Sequence, residues 1–126
     1  VALGNREMSE FAPLRYLVDA LNAVTGWDFT VKEAQDVGLR VANLMRAFNL
    51  RHGVTADLER PSPRWSSTPV DGPAKGISIP PHWAGMRDNY YLRMGWDRHT
   101  GKPFPATLKA LELDSVVADL WTDTTG

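Results

Sequence analysis

Apolar residues recur along this chain at spacings of three and four, and the runs are broken by glycine and proline, which predicts helices rather than alternating strands. Leu14, Leu17, Val18, Leu21 and Val24 share one helical face and predict a first helix from about Pro13 to Thr25. Pro13 suits its first turn, where a missing N–H is no loss. Gly26 follows where a left-handed cap is wanted, because glycine takes positive φ without a Cβ penalty. Thr30 and Glu33 have the spacing of a capping box and predict a second helix starting at Val31. Its inward face reads Ala34, Val37, Val41, Leu44, Met45 and Phe48, with Gly38 on the same side, and it should end between Phe48 and Gly53. A joint of about four residues between two such helices predicts an antiparallel hairpin whose apolar faces meet.

The texture changes over residues 60–81, where six prolines and two glycines leave too few backbone donors for a helix or a central strand. A long crossing loop is expected there, pinned to the helical body by Trp65, Ile77 and Ile79 rather than left as a solvated linker. A third helix is predicted over 81–94, with Trp83, Met86, Tyr90 and Met94 as its stripe and Arg87, Asp88 and Arg93 elsewhere on its surface. Gly95 ends it. Trp96 and Asp97 then repeat the order Gly26-Trp27-Asp28, and both triplets read as one cap device: glycine for the left-handed position, Trp folded back on the last turn, Asp accepting from nearby N–H groups. The flanking residues do not align, so an internal duplication is not implied. Residues 106–113 predict a short helix with Leu108, Leu111 and Leu113 inward. Asp114 or Ser115 can cap one further turn through Val116, Val117 and Leu120, and residues 122–126 should fray. The expected fold is all-α: a multihelical, bundle-like domain with a helical hairpin and a long Pro-rich crossing loop.

A length of 126 residues suits one domain, residues 1–126, around one sizeable core. With 14 basic and 15 acidic side chains, no overall field draws nucleic acid or an anionic membrane, and neither partner is expected. No run approaches the about 18 apolar residues of a membrane span, and the N-terminus lacks the pattern of a secretory signal. The chain has no cysteine, which removes disulfides and points to a cytoplasmic protein. Its first residue is Val rather than Met, so a fragment of something longer is expected.

Chemistry is sparse. His52, His82 and His99 are far apart and fit no metal-ligand spacing, so surface or capping roles are expected, His52 at the negative end of the second helix. Without cysteine there is no thiolate for an iron–sulfur cluster and no thiol nucleophile. No serine lies in a nucleophile elbow, Ser66 and Ser67 read as loop residues, and the GPAKG run at 72–76 lacks the spacing of a phosphate loop. No catalytic, cofactor-binding or metal residue is therefore expected. The residues singled out are structural caps: Gly26, Trp27, Asp28, Thr30, Glu33, Gly95, Trp96 and Asp97. Arg40, Arg46, Arg51, Arg60 and Arg64 outnumber Asp57 and Glu59 in mid-chain. That patch pairs either with the acidic C-terminal segment, where four acids and no Lys or Arg follow Ala110, or with another domain. The five Trp read as core anchors, Trp27 and Trp96 foremost.

The NAVTGWD run at 22–28, the helix through Asn43 and Phe48, and Asn49-Leu50-Arg51-His52-Gly53 form a block, residues 21–55, that closely resembles the C-terminal domain of the tungsten-containing aldehyde ferredoxin oxidoreductase family. Further pieces follow in the same order: a Pro-flanked Arg64, the turn Asp71-Gly72-Pro73-Ala74-Lys75-Gly76, the Met-x-x-x-Tyr-Tyr helix at 86–91 and Met94-Gly95-Trp96-Asp97. The resemblance runs from about Leu14 to Val117. It departs at His52, where the family usually has an acid, and at Met94, where an Arg commonly precedes the turn. It implies an all-helical domain that covers the cofactor of an enzyme oxidising aldehydes to carboxylic acids. In that family a tungsten or molybdenum atom held by pterin does the chemistry, and electrons pass through a 4Fe-4S cluster to ferredoxin. The family's cluster cysteines and its Asp-x-x-Gly-Leu-Cys motif lie upstream of NAVTGWD, and no residue here matches them. The chain is thus expected to begin just after the last cluster cysteine, to be inert alone, and to expose an apolar patch around Phe11, Leu14 and Leu17 where upstream catalytic domains pack. The alternative is a stand-alone helical interaction module of the same ancestry without redox activity. A parent enzyme of this ancestry acting on another substrate, such as an aromatic thioester, is a third reading.

Overall fold

The structure, a computed structural model, describes residues 13–121; Phe11 and the 122–126 tail lie outside them. Among the described residues there are six α-helices: α1 (Pro13–Thr25), α2 (Val31–Arg51), α3 (Pro63–Ser66), α4 (Pro80–Met94), α5 (Pro105–Ala110) and α6 (Asp114–Trp121). A 3₁₀ turn covers Ala56–Leu58, and the strand-like pairing among these residues is the isolated bridge Trp96–Pro103. The class is all-α and multihelical, as the three- and four-residue spacing predicts. The chain divides into two compact units, Val1–Ala42 and Asn43–Gly126.

In the first unit Gly26 ends α1 with φ +73°, its N–H donating to Asn22 O at 2.8 Å. Asn22 also clamps the joint, its amide donating to Phe29 O at 2.8 Å while its carbonyl oxygen accepts from Phe29 N at 2.9 Å. The start of α2 is a reciprocal box: Thr30 N and Oγ1 each donate to Glu33 Oε2 at 2.7 Å, and Glu33 N donates to Thr30 Oγ1 at 3.2 Å. The apolar faces differ from expectation. Val18 is buried and Leu14 and Leu21 are half-buried, but Leu17 is exposed and Val24 is 87% exposed. On α2, Val37 and Val41 are exposed as well. Spacing marks the side of a helix that is apolar; burial additionally needs an opposing surface, which these residues do not find.

The second unit holds two buried clusters. Leu108, Leu111, Leu113, Val116 and Leu120 from the α5–α6 segment close around Ala47 of α2, with Leu50 and Val117 packed beside them. The predicted helix over 106–113 stops at Ala110 because Glu112 turns left-handed, with φ +59°. That turn lets Leu113 N reach back to Leu108 O at 2.9 Å and buries both Leu111 and Leu113, the geometry of a Schellman cap built without its usual glycine. The other cluster is Ala56, Tyr91 and Trp96, with Met94 against it. Buried positions on α2 are Asn43, Arg46 and Ala47, whereas the expected inward residues Leu44, Met45 and Phe48 are exposed. On α4 the buried residue is Tyr91, while Met86 and Tyr90 of the predicted stripe face outward. The stretch 60–81 is not one uninterrupted loop, since Pro63–Ser66 makes a helical turn. Nor do all its expected anchors hold: Trp65 and Ile77 are exposed and Ile79 is half-buried. Gly76 N instead closes the loop on Pro69 O at 2.9 Å.

Gly95 ends α4 with φ +67°, and a Cβ there would collide with the Thr107 hydroxyl; Gly26 has open space where a Cβ would stand. Gly26→Ala should therefore cost about 1–2 kcal/mol of left-handed strain. Gly95→Ala should cost more. Urea unfolding followed by tryptophan fluorescence checks this, and equal losses at the two glycines would contradict it.

Candidate functional site

Among the described residues a dense polar arrangement surrounds Arg46, which α2 carries into the second unit and which is only 5% exposed. Its Nε donates to Gly101 O at 2.8 Å, Nη2 to the Tyr91 hydroxyl at 3.0 Å, and Nη1 to Glu59 Oε1. Tyr91 in turn donates its hydroxyl to Glu59 Oε2. The guanidinium also lies over two rings, 5.2 Å from the Tyr91 centroid and 4.9 Å from that of Trp96. Trp96 Nε1 donates to the buried Asn43 Oδ1 at 2.9 Å, and Trp83 Nε1 to Glu59 O at 2.7 Å. Gly101 is required where it stands, because a Cβ would run into the Arg46 guanidinium. The arrangement holds a proton donor, a carboxylate and a fixed cation in contact. All three groups are spent on one another, so it fixes α2, α4 and the Gly101 loop in register and presents no free nucleophile or base.

The two Gly-Trp-Asp turns share glycine handedness and little else. Trp96 is 5% exposed and Trp27 is 63% exposed, so Trp27 does not fold back as expected. Asp97 Oδ1 accepts from Thr100 N and Oγ1 at 2.7 Å each and from His99 N at 3.1 Å. The Thr100 hydroxyl, then the Thr100 N–H, hold its carboxyl below the usual range; burial opposes them, and the His99 N–H and ring charge add to them. Asp28 is exposed and makes no such bonds to other described residues, its expected role being taken by Asn22. At the capping box the Thr30 hydroxyl and N–H likewise lower the Glu33 pKa, against desolvation and the Asp36 charge.

The mid-chain arginines of the second unit differ in use. Arg46 is buried, and Arg51 reaches the acidic C-terminal segment, its Nη1 2.8 Å from Asp119 Oδ2. Arg60 donates to Asp57 O at 2.8 Å. His52 donates Nδ1 to Phe48 O at 2.7 Å and stacks on the Phe48 ring, centroids 4.0 Å apart, at the end of α2. His82 and His99 are exposed. Among the described residues no three His, Cys, Asp or Glu side chains are gathered to hold a metal ion, and no helix is long and apolar enough to cross a membrane. Sequence reasoning missed Asn43, Glu59, Tyr91 and Gly101. The available signal was a pair of polar residues, Asn43 and Arg46, one turn apart inside an apolar run.

A family model described as aldehyde ferredoxin oxidoreductase, domains 2 and 3, matches residues 4–113. The tungsten-containing aldehyde ferredoxin oxidoreductase of Pyrococcus furiosus is 36% identical over 80 residues, covering 62% of this chain and 13% of that protein. The protein of the same description from Pyrococcus abyssi is 34% identical over 101 residues, covering 79% of this chain and 16% of the relative. The chain thus spans about one seventh of the length of these curated relatives. No solved structure matches.

Tyr91→Phe should cost about 1–3 kcal/mol, because it leaves Arg46 and Glu59 each short of a partner. Glu59→Ala should cost more, about 3 kcal/mol, since it strands a buried charge. Denaturant unfolding of the single and double variants should show coupling between the two, and strict additivity would contradict the network. For Asp97 the sign follows from its lowered pKa: its contribution is complete above the unfolded value of about 4 and fades as pH falls through the lower native one. Asp97→Asn should therefore destabilise at neutral pH, and its difference from the parent chain should shrink as pH falls below about 4, read from thermal melts across that range.

Proposed function

The chain belongs to the aldehyde ferredoxin oxidoreductase family, and on that premise we propose that it is the C-terminal helical domain, residues 1–126, of a larger cytoplasmic enzyme oxidising aldehydes to carboxylic acids. The observation that carries this reading is the family match over 4–113, joined to tungsten-containing relatives at about one-third identity. In the proposed parent, tungsten or molybdenum held by pterin and a 4Fe-4S cluster supply the redox chemistry, with ferredoxin as electron acceptor. Upstream catalytic domains hold those groups. The donors of this chain do not fit them: it has no cysteine to ligate a cluster, and its most concentrated polar side chains are consumed by one another around Arg46. No step of the reaction is assigned to these residues. The domain's part is to cover the cofactor and shape its surroundings, which is what protein supplies to cofactor chemistry.

The exposed apolar side chains support that part. Leu17 and Val24 on α1, Val37 and Val41 in the first half of α2, and Leu44, Met45 and Phe48 in its second half are outward and uncovered. Apolar surface of that kind marks interaction faces. In this reading it packs on the catalytic body, and alone the chain has no redox activity.

Anaerobic reconstitution of the isolated chain with iron, sulfide and tungstate should leave no stoichiometric metal on the folded protein, measured by elemental analysis and visible absorption. The coding sequence preceding Val1 should encode an Asp-x-x-Gly-Leu-Cys-like motif, and the protein expressed with that region should oxidise aldehydes. Bound iron or tungsten on the isolated chain would overturn the division of labour. An upstream region without such cysteines would favour the stand-alone interaction module.

A further inference from the structure

Arg46 and Arg87 both lie against the Tyr91 ring, their guanidinium carbons 5.2 and 5.8 Å from its centroid, yet their states differ. Every nitrogen of Arg46 has an acceptor. Arg87 reaches Ala56 O and Asp88 Oδ1 at 3.3 Å each, long beside the roughly 2.7–2.9 Å of a charge-assisted bond. Its Nε is buried without a partner among the described residues. Arg87 also lines a groove of about 430 Å³ together with Trp83, Met86, Tyr90 and Arg60. That volume falls within the roughly 300–1,000 Å³ of small-molecule sites, which pair apolar walls with a few placed polar groups.

Charge and shape together narrow the ligand. Glu59, the carboxylate lining the groove, is already taken by Arg46 and Tyr91. Arg60 spends its Nε on a backbone carbonyl, and the counter-charge of Arg87 is its neighbour Asp88, which reaches only Nη2, at 3.3 Å. Two guanidiniums therefore border an aromatic cavity with no uncommitted anion of their own, and the planar fork of arginine matches a carboxylate. A phosphate would put further charged oxygens against the Trp83 and Met86 walls, where they lose water without gaining partners. We propose that this groove binds a small aromatic monocarboxylate, its carboxylate held by Arg87 and Arg60 and its ring against Trp83 and Met86. The site is independent of the redox reading and stands or falls separately from it.

The Trp83 indole N–H, which donates to Glu59 O, is a reporter inside the groove. In ¹⁵N-labelled full chain its resonance should shift saturably with phenylacetate. Phenylacetamide, acetate and inorganic phosphate should each bind at least about tenfold more weakly, lacking either the charge-assisted pairing or the fitting ring. Arg87→Gln should weaken phenylacetate by about tenfold. Arg60 is exposed, so Arg60→Gln should keep the parent melting temperature and still weaken binding severalfold. The absence of a saturable shift would overturn the proposal. So would phenylacetamide binding as tightly as the acid, phosphate competing equally well, or Arg60→Gln binding unchanged.

Discussion

A guanidinium withdrawn from water keeps its charge and its five N–H donors, and each donor left unpaired costs free energy. Arg46 imposes that constraint on everything around it. Its acceptors come from residues 55 positions away at Gly101, 45 at Tyr91 and 13 at Glu59, so the second unit cannot form piecemeal around it. The loop that brings Glu59 must arrive, α4 must present Tyr91 rather than Tyr90, and the turn after α4 must be tight enough to aim a carbonyl at Nε. Gly101 lacks a side chain where that carbonyl approaches, and Trp96, its ring centroid 4.9 Å from the guanidinium carbon, hands its own N–H to Asn43. The α5–α6 cluster is a conventional apolar core by comparison, filled by leucine and valine with a single left-handed glutamate to make the corner.

The repeated Gly-Trp-Asp triplet shows how little a local signal says about use. Both glycines cap a helix through positive φ, which is a property of the backbone and travels with the residue. What the Trp and Asp do depends on what lies opposite. At Gly95 the following loop closes on itself, Gly101 N donating to Asp97 O and Asp97 N to Lys102 O, so Asp97 finds N–H groups and Trp96 finds a core. At Gly26 a second helix follows at once, Asn22 secures the joint, and Trp27 stays in solvent.

The family relationship places a chain with no thiolates beside proteins described as tungsten-containing. Those two facts agree if chemistry and enclosure are divided between parts of one enzyme. Exposed valines and leucines along α1 and α2 are costly to leave in water and would be relieved by a covering surface.

Helix positions, their glycine ends and the capping box were legible in the chain because each is decided within a turn or two of backbone: Thr30 and Glu33 meet whatever the rest of the protein does. The lack of cysteine is a matter of inventory. Leu108, Leu111 and Leu113 are inward as expected, but which face of α2 and of α4 is inside was not legible. Leu44, Met45 and Phe48 have the spacing of a core stripe and are exposed, while Asn43 and Arg46 lie among them and are buried. Periodicity records only that a face is apolar. Burial is decided by partners tens of residues away, and a buried ionic group reverses the usual preference once Glu59, Tyr91 and Gly101 converge to satisfy it, a convergence that exists in three dimensions and leaves no spacing in the sequence.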